Sequence, residues 1–469
     1  MLYKFGKTFF TKHPHLLTGV VGSVGSRIPL SIRHGRSFRQ TRRLLRESQW
    51  WSRERLEAYQ HAQRRETLTR AWATSPYYRE SFGRAGVSPD DLRCLDDVRR
   101  FPTLDKETLR ANLERILASD VDREKLMKFC TGGTTGSGIV LPFEEGFRNR
   151  SRAFIWHLWE RMGYRPDMLA AILQHREVPA DLNDGLWFLD KPSNALVLSA
   201  RRLSPATIHR YLEALEQKRP RVLIAYPSLA HLFATYARDA GRKTKVFDLV
   251  LLGSEMLYDF QRRELESVLQ ATVRIHYGHV EACALFGYCE RSNDYHVQLE
   301  YGLVEFLRED GCPAAAGEVG EIVATNFANR ALPLIRYRTG DLAQPSDGRC
   351  VCGRDYPLVQ KIQGREGDFI RTPAGATHSP ILVEFLMDEL LLEGCDGFSD
   401  LQIVQDRLDE VVVRVVPGKT FSPADADRFC TRLAERLGPD MRVHSELVDV
   451  IPRTVRQKKS LIVSHLPPR

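Results

Sequence analysis

From about residue 126 to residue 345 the chain alternates short β-rich runs with amphipathic helical stretches, and this alternation limits the fold more than any other feature. Apolar, β-branched runs stand at 168–173, 222–225, 249–252, 273–276 and 321–324, with helical periodicity at 204–217 and 259–269 between them. Strands separated by helix-length segments bury their apolar faces best as a parallel sheet covered by helices. The expectation is an α/β core holding a substantial parallel sheet.

The flanks read differently. Residues 35–120 show apolar positions at helical spacing, through 47–73 and again through 104–117, broken by Ser75-Pro76 and Ser88-Pro89. Past the loop-rich 344–354 stretch and a Gly-containing hinge at 364–367 comes a unit of about a hundred residues. It reads as helix 380–391, strand 411–416, helix 423–437 and strand 442–450. The predicted class is therefore α/β: a large α/β domain with a helical N-terminal region, plus a small C-terminal α+β domain on a hinge. Predicted boundaries are 1–120 for the Arg-rich helical region, 121–364 for the core and 365–469 for the mobile C-terminal domain.

Of the 469 residues, 68 are basic and 60 acidic, a net charge of +8. Arg is dense early, as in Arg42-Arg43 and Arg64-Arg65, which reads first as a solvated surface and leaves peripheral membrane contact open. No nucleic-acid-binding motif accompanies the charge. The best apolar stretch, 16–24, is interrupted by Gly19 and Gly22 and falls far short of a span. Nine scattered Cys do not form a disulfide framework, so a cytoplasmic, reducing compartment is expected.

One segment offers phosphate chemistry. Thr131, Gly132, Gly133, Thr134, Thr135 and Gly136 follow the apolar run 126–130. Gly permits backbone N–H groups to converge on an anion, and Thr adds hydroxyl donors. The segment has neither the Gly-Lys-Ser/Thr ending of a Walker loop nor the dinucleotide Gly spacing. Alone it is also compatible with a flexible turn.

Later motifs, in order, give it company: Gly253-Ser254-Glu255, Tyr277-Gly278-His279-Val280-Glu281, Arg336-Tyr337-Arg338-Thr339-Gly340-Asp341, Gly364-Arg365, and Pro452-Arg453-Thr454 leading to Lys458. In this order they resemble the adenylate-forming superfamily of acyl-CoA synthetases, luciferases and nonribosomal adenylation domains. Within it the chain looks most like the phenylacetate–CoA ligase and capsular-biosynthesis branch, over roughly residues 40–465.

The resemblance implies ATP as co-substrate, cradled by residues 131–136. It implies nucleotide contacts from Gly253, Ser254, Glu255, His276, Tyr277 and Gly278, with Asp341 on the ribose hydroxyls. It implies Mg²⁺ on Glu281, since a carboxylate suits a hard cation. Arg365 then meets ribose or phosphate at the domain junction, and Lys458 bridges the acid carboxylate and the α-phosphate. Lys459 competes for that last role, because Gln457 stands where the family has Gly. Gly367 replaces the family's hinge acid, and Ser137 stands where a Lys often follows the last loop Gly.

Acyl-pocket candidates by family position are Trp156, His157, Tyr226, Pro227 and His279, which suit an aromatic or otherwise apolar acid. Cys289, His296, Cys350 and Cys352 supply three thiols and an imidazole, a set that suits tetrahedral Zn²⁺ and resembles an arrangement in the same branch. The inferred zinc is structural. Cys283 belongs to an apolar run, and no His/Asn pattern makes any of these cysteines catalytic.

The expected reaction is attack of a carboxylate on ATP with loss of pyrophosphate, then transfer of the acyl group to CoA, a carrier-protein thiol or an amine. An amide ligase of a biosynthetic pathway and a non-catalytic nucleotide-binding scaffold with the same fold stay open as alternatives. Oligomeric state is not set by the sequence.

Overall fold

The computed structural model describes residues 34–130, 139–242, 245–365, 369–378, 380–395, 397–454 and 458–466. The chain enters as a helical layer of α1 (Gly35–Ser48), α2 (Arg53–Thr74), α3 (Pro76–Arg84) and α4 (Lys106–Ile116). Side-chain caps start three of these helices. Ser52, Ser75 and Asp105 accept from the backbone N–H of Arg55, Tyr78 and Thr108, at 3.4, 3.4 and 2.7 Å. Each cap satisfies a donor that the first helical turn cannot. Leu45, Leu56, Leu68, Phe82 and Phe101 of this region are buried in the same hydrophobic core as the central sheet.

β1 (Met127–Cys130) and β2 (Val140–Phe143) then pair antiparallel. The predicted phosphate loop 131–136 lies between them, outside the described residues. Next follow α5 (Phe147–Arg161), β3 (Ala170–Gln174), β4 (Trp187–Asp190), β5 (Ala195–Ser199), α6 (Ile208–Lys218), β6 (Val222–Ala225), α7 (Pro227–Asp239), β7 (Leu249–Gly253), α8 (Asp259–Leu269) and β8 (Thr272–Gly278). β5, β3, β6, β7 and β8 lie side by side and run parallel. β6 and β7 are buried along their whole length, as expected of strands covered on both faces.

The rest of the sheet departs from the expected pattern. β9 (Leu285–Tyr288), β10 (Tyr295–Val297), β11 (Gly302–Leu307), β12 (Gly320–Asn326), β13 (Tyr337–Ser346) and β14 (Leu358–Arg365) extend it antiparallel. The twelve strands run in the order β11-β12-β13-β14-β10-β9-β8-β7-β6-β3-β5-β4. A parallel pair needs a crossover of a dozen or more residues; the connections after β8 carry no helix, so these strands fold back instead.

The N-terminal region is stitched into this antiparallel half. Leu104 forms a parallel bridge with Tyr337: its N–H donates to the Arg336 carbonyl at 3.0 Å, and its carbonyl accepts from Arg338 at 2.8 Å.

The C-terminal unit comprises β15 (Ile370–Arg371), β16 (Thr377–His378), α9 (Pro380–Leu392), β17 (Phe398–Arg407), β18 (Glu410–Pro417), α10 (Pro423–Leu437), β19 (Arg442–Leu447) and β20 (Ile462–Ser464). Four of its strands form a sheet in the order β19-β18-β17-β20. Phe429, Leu433, Val411, Val413 and Ile403 build its own core, onto which Tyr258 and Phe260 of the large domain pack. The α/β class with a separate small C-terminal unit is as expected. The hinge positions 366–368, including Gly367, lie outside the described residues.

Candidate functional site

Parallel strands deliver ligand-binding turns at their carboxyl ends, and two of the sequence motifs, 253–255 and 277–281, sit at or just past such ends, while the third, 336–341, opens the antiparallel β13. Gly253 ends β7 directly opposite His276 of β8. A Cβ at Gly253 would lie 2.5 Å from a ring carbon of His276, so only glycine lets this imidazole pack here. Desolvation pushes the His276 pKa down to about 4, so the ring is neutral.

Non-glycine residues with left-handed backbone mark all three motif turns: Ser254 (φ 71°), Ala282 (φ 57°) and Arg336 (φ 47°). Such conformations cost about 1 kcal/mol or more each and persist where the surroundings fix them. For Arg336 the surroundings are explicit. Its guanidinium donates to both Glu305 oxygens at 3.0 Å and to the carbonyls of Arg99 and Phe101 at 3.0 and 2.6 Å.

The middle motif converges on two carboxylates. The Tyr277 hydroxyl donates to Asp341 Oδ2 at 2.7 Å. Asp341 sits on β13, and its backbone pairs directly with Arg365 of β14. The Tyr337 hydroxyl donates to Glu281 Oε1 at 3.2 Å. The Ala284 N–H donates to His279 Nε2 at 3.2 Å, so the ring proton resides on Nδ1, 3.1 Å from Glu281 Oε2. His279 thus orients Glu281.

The two candidate lysines separate sharply. Lys459 is buried and its ammonium is ion-paired with Asp400 and bonded to the Leu401 carbonyl at 2.9 Å. Arg453 joins the pair at 3.3 Å and also donates to Ser228 Oγ at 2.7 Å. Glu255 is taken up by the same junction, its oxygens accepting from the backbone N–H groups of Ser228 and Lys459, both at 3.0 Å. Lys458 turns the other way. Its ammonium lies 3.1 Å from the Ser254 carbonyl and 5.5 Å from the centre of the Tyr226 ring.

A cavity of about 430 Å³ unites these groups, and Ser254, Tyr277, Gly278, Glu281, Asp341 and Lys458 all line it. It opens between the large domain and the C-terminal unit, which contributes Met387, Phe398 and Leu401.

Two of the acyl-pocket candidates, Trp156 and His157, do not line this cavity. Trp156 packs outward against Phe38 and His34 of the entering helical layer, with ring centres 5.9 and 5.7 Å away. His157 is buried off the cavity, its pKa lowered to about 3 by desolvation and by Arg161. The helix that carries them turns Ser151 and Ile155 to the cavity instead. Tyr226 is buried beneath Lys458 with its hydroxyl 2.6 Å from His175 Nδ1, Pro227 starts α7, and His279 lines the cavity. Lys106, at the start of α4, also lines it and went unnoticed in the sequence, where no motif surrounds it.

Cys289, His296, Cys350 and Cys352 form a second cluster, with donor atoms all within 4.8 Å of one another. Cys289 and Cys350 sulfurs are 3.4 Å apart, and Cys352 Sγ is 3.7 Å from His296 Nε2. A tetrahedron with bonds of about 2.3 Å has edges of about 3.8 Å, so the donors fit zinc. The charge environment fits as well. Arg161 is buried beside them, its Nη2 2.5 Å from His296 Nδ1 and its Nε 3.8 Å from Glu290 Oε2, with Nε and Nη1 lacking hydrogen-bond partners among the described residues. Three thiolates around a divalent ion leave one net negative charge to offset it. Binding through Nε2 would leave the ring proton on Nδ1, so the Arg161 contact must then loosen.

Among the described residues no helix is long and apolar enough to cross a membrane. Residues 383–465 match the CapK C-terminal domain family. Protein CapK of Staphylococcus aureus is 23% identical over 404 residues, covering 84% of this chain and 85% of that protein. A phenylacetate-coenzyme A ligase of Thermus thermophilus is 27% identical over 428 residues, covering 89% and 93%. The crystal structure of 2-hydroxyisobutyryl-CoA ligase in its postadenylation state superimposes with a TM-score of 0.68 at 20% identity, covering 89% of this chain and 93% of that one. In motif order, two-part architecture and these relatives the chain is similar to the adenylate-forming superfamily, and within it to CapK and the phenylacetate–CoA ligases.

Proposed function

We propose that the protein activates a carboxylic acid with ATP and passes the acyl group to a thiol or amine. The observation that carries this reading is the Lys458 ammonium, brought by the C-terminal unit to 3.1 Å from the Ser254 carbonyl in a cavity shared with Tyr277, Glu281 and Asp341. In the first step a carboxylate oxygen attacks the α-phosphorus, a new P–O bond forms, and the bond to the β-phosphate bridging oxygen breaks to release pyrophosphate. Negative charge gathers on the α-phosphate oxygens, where a fixed ammonium stabilises it most. In the second step a nucleophile attacks the acyl carbon, loses its proton, and expels AMP. CoA is the acceptor named for several relatives; a carrier-protein thiol or an amine has the same chemistry.

Asp341 is suited to accept the two ribose hydroxyls, with Tyr277 holding its carboxylate in place. Glu281 would hold Mg²⁺, a hard cation that neutralises phosphate charge, and its setting by Tyr337 and His279 favours one orientation. The acid would occupy the part of the cavity near Ser151, Ile155, His279 and Tyr301. The Cys289–His296–Cys350–Cys352 cluster would hold a structural zinc that joins the β9–β10 turn to the loop before β14. Unpaired thiols among the described cysteines favour a cytoplasmic site of action.

The deciding experiment is pyrophosphate release from ATP across a panel of aromatic, aliphatic and hydroxylated acids. Acid-dependent release supports the assignment, and adding CoA or amines to a responsive acid identifies the acceptor. An ATP-binding protein that releases no pyrophosphate with any acid would instead be a nucleotide-binding scaffold.

A further inference from the structure

We infer that the solvent face of α1, with Trp50 just past its end, docks the protein on an anionic lipid surface. The inference stands apart from the ATP chemistry and uses groups outside the cavity. The two faces of α1 differ in character. Phe38, Thr41, Leu45 and Ser48 are buried against the molecule, and Arg42 is ion-paired with Glu160 of α5. Arg36, Arg39, Arg43 and Arg46 are exposed. They recur at intervals of three, four and three residues, so they share one side of the helix. The helix holds a single acid, Glu47, which bonds Arg43 at 3.2 Å.

The arginine stripe leads to exposed apolar side chains. Trp50 is 60% exposed, and Val351 is 65% exposed. The Trp50 ring is held in place: the Arg354 guanidinium lies 4.5 Å from its centre and is itself fixed by Glu290 at 2.5 Å and Gln49 at 3.1 Å. Arg354 belongs to the loop that carries Val351 and the exposed Arg349. That loop also meets the start of α2, where Glu54 is held below the usual carboxylate range by a bond from Ser52 and by the charges of Arg349 and Arg53. The apolar tips are thus flanked by Arg46, Arg53 and Arg349.

This layering matches a membrane interface. Guanidinium groups bond lipid phosphates, and an indole settles at headgroup depth with its ring toward the acyl chains. A basic helix face with an aromatic tip gains affinity from both terms. Nucleic acid is the other polyanion that such a stripe attracts, but stacking along a strand needs a row of free rings. Here Trp50 stands alone, because the ring of Trp51 is half-buried and covered by Arg55 at 4.0 Å.

The test is co-sedimentation of the full-length protein with vesicles of phosphatidylcholine alone and of phosphatidylcholine mixed with phosphatidylglycerol. Binding is expected to the mixed vesicles only and to weaken as salt rises, because screening shortens the reach of the arginines. Each basic group near such a surface is worth about fivefold in affinity, so the double variant Arg36→Gln/Arg43→Gln is expected to bind at least about tenfold more weakly, with its melting temperature unchanged. Vesicles with brominated acyl chains should quench tryptophan emission in the wild type and much less in Trp50→Phe, which keeps a ring at that position. No binding to mixed vesicles, equal binding to phosphatidylcholine alone, or undiminished binding by the double variant would each overturn the inference. Tight binding of an RNA or DNA oligonucleotide that the double variant loses, with no vesicle binding, would overturn it in favour of a nucleic-acid surface.

Discussion

Lys459 is locked to Asp400 inside the C-terminal unit, and that pairing leaves its neighbour Lys458 as the ammonium that reaches across to Ser254. Two adjacent lysines therefore have opposite jobs, and their alanine variants should fail differently. Lys458→Ala is expected to cut pyrophosphate release by about a hundredfold or more with little change in melting temperature. Lys459→Ala strips the partner from a buried carboxylate and should cost about 3–5 kcal/mol of stability. Steady-state rates and thermal unfolding of the pair check this, and the reverse pattern would exchange the two roles.

Asp400 makes the same junction sensitive to acid. Burial alone would raise its carboxyl; Lys459 and Arg453 outweigh that and hold it below the ordinary range. A depressed carboxyl contributes stability above its unfolded value, about 3.9, and loses it as pH falls through the lower native value. Urea midpoints should thus drop below about pH 4, and Asp400→Asn should be weaker at neutral pH but show a flatter acid limb. Identical acid limbs in the two proteins would remove Asp400 from the account.

The contact between Tyr277 and Asp341 makes a graded prediction. Asp341→Ala removes a doubly accepting carboxylate and should raise KM for ATP by about tenfold or more. Tyr277→Phe keeps the ring and loses one hydrogen bond, so its effect should be only a few-fold. Equal effects would mean that the ring, not the carboxylate, dominates nucleotide binding.

Metal analysis of purified protein is expected to find one zinc per chain. Cys352→Ser should release it and lower the melting temperature, while a chelator should reproduce that shift in the wild type. Protein that holds no zinc and unfolds identically as Cys352→Ser would reduce the four residues to a packed thiol cluster.

Much of this architecture was legible because local signals and tertiary packing agree. The helix Asp259–Leu269 and the helix Pro423–Leu437 coincide with their predicted spans, the second opened by Ser422 with Asp425 bonding back to its N–H. Strand runs such as Val222–Ala225 are apolar throughout because both faces are covered. The antiparallel half of the sheet was not legible, since direction depends on how a connection folds back and not on composition. The same limit explains Trp156 and His157. Helix α5 carries apolar residues on both its inner and outer faces, because it lies between the sheet and the entering helical layer, and periodicity alone does not say which face meets the cavity. Lys106 was invisible for a simpler reason: a lysine after an N-cap is unremarkable until the fold sets it on the wall of the cavity.

The Leu104–Tyr337 bridge also has a meaning in time. Arg336 bonds the Arg99 carbonyl across 237 residues, and Leu104 waits for the same strand. On a growing chain the entering helices emerge long before their partner is made. Contacts so distant in sequence form late, because loop closure must precede them. Nucleotide-binding competence should therefore be among the last properties a nascent chain acquires, and a ribosome-stalled chain lacking β13 would have helices but no place for ATP.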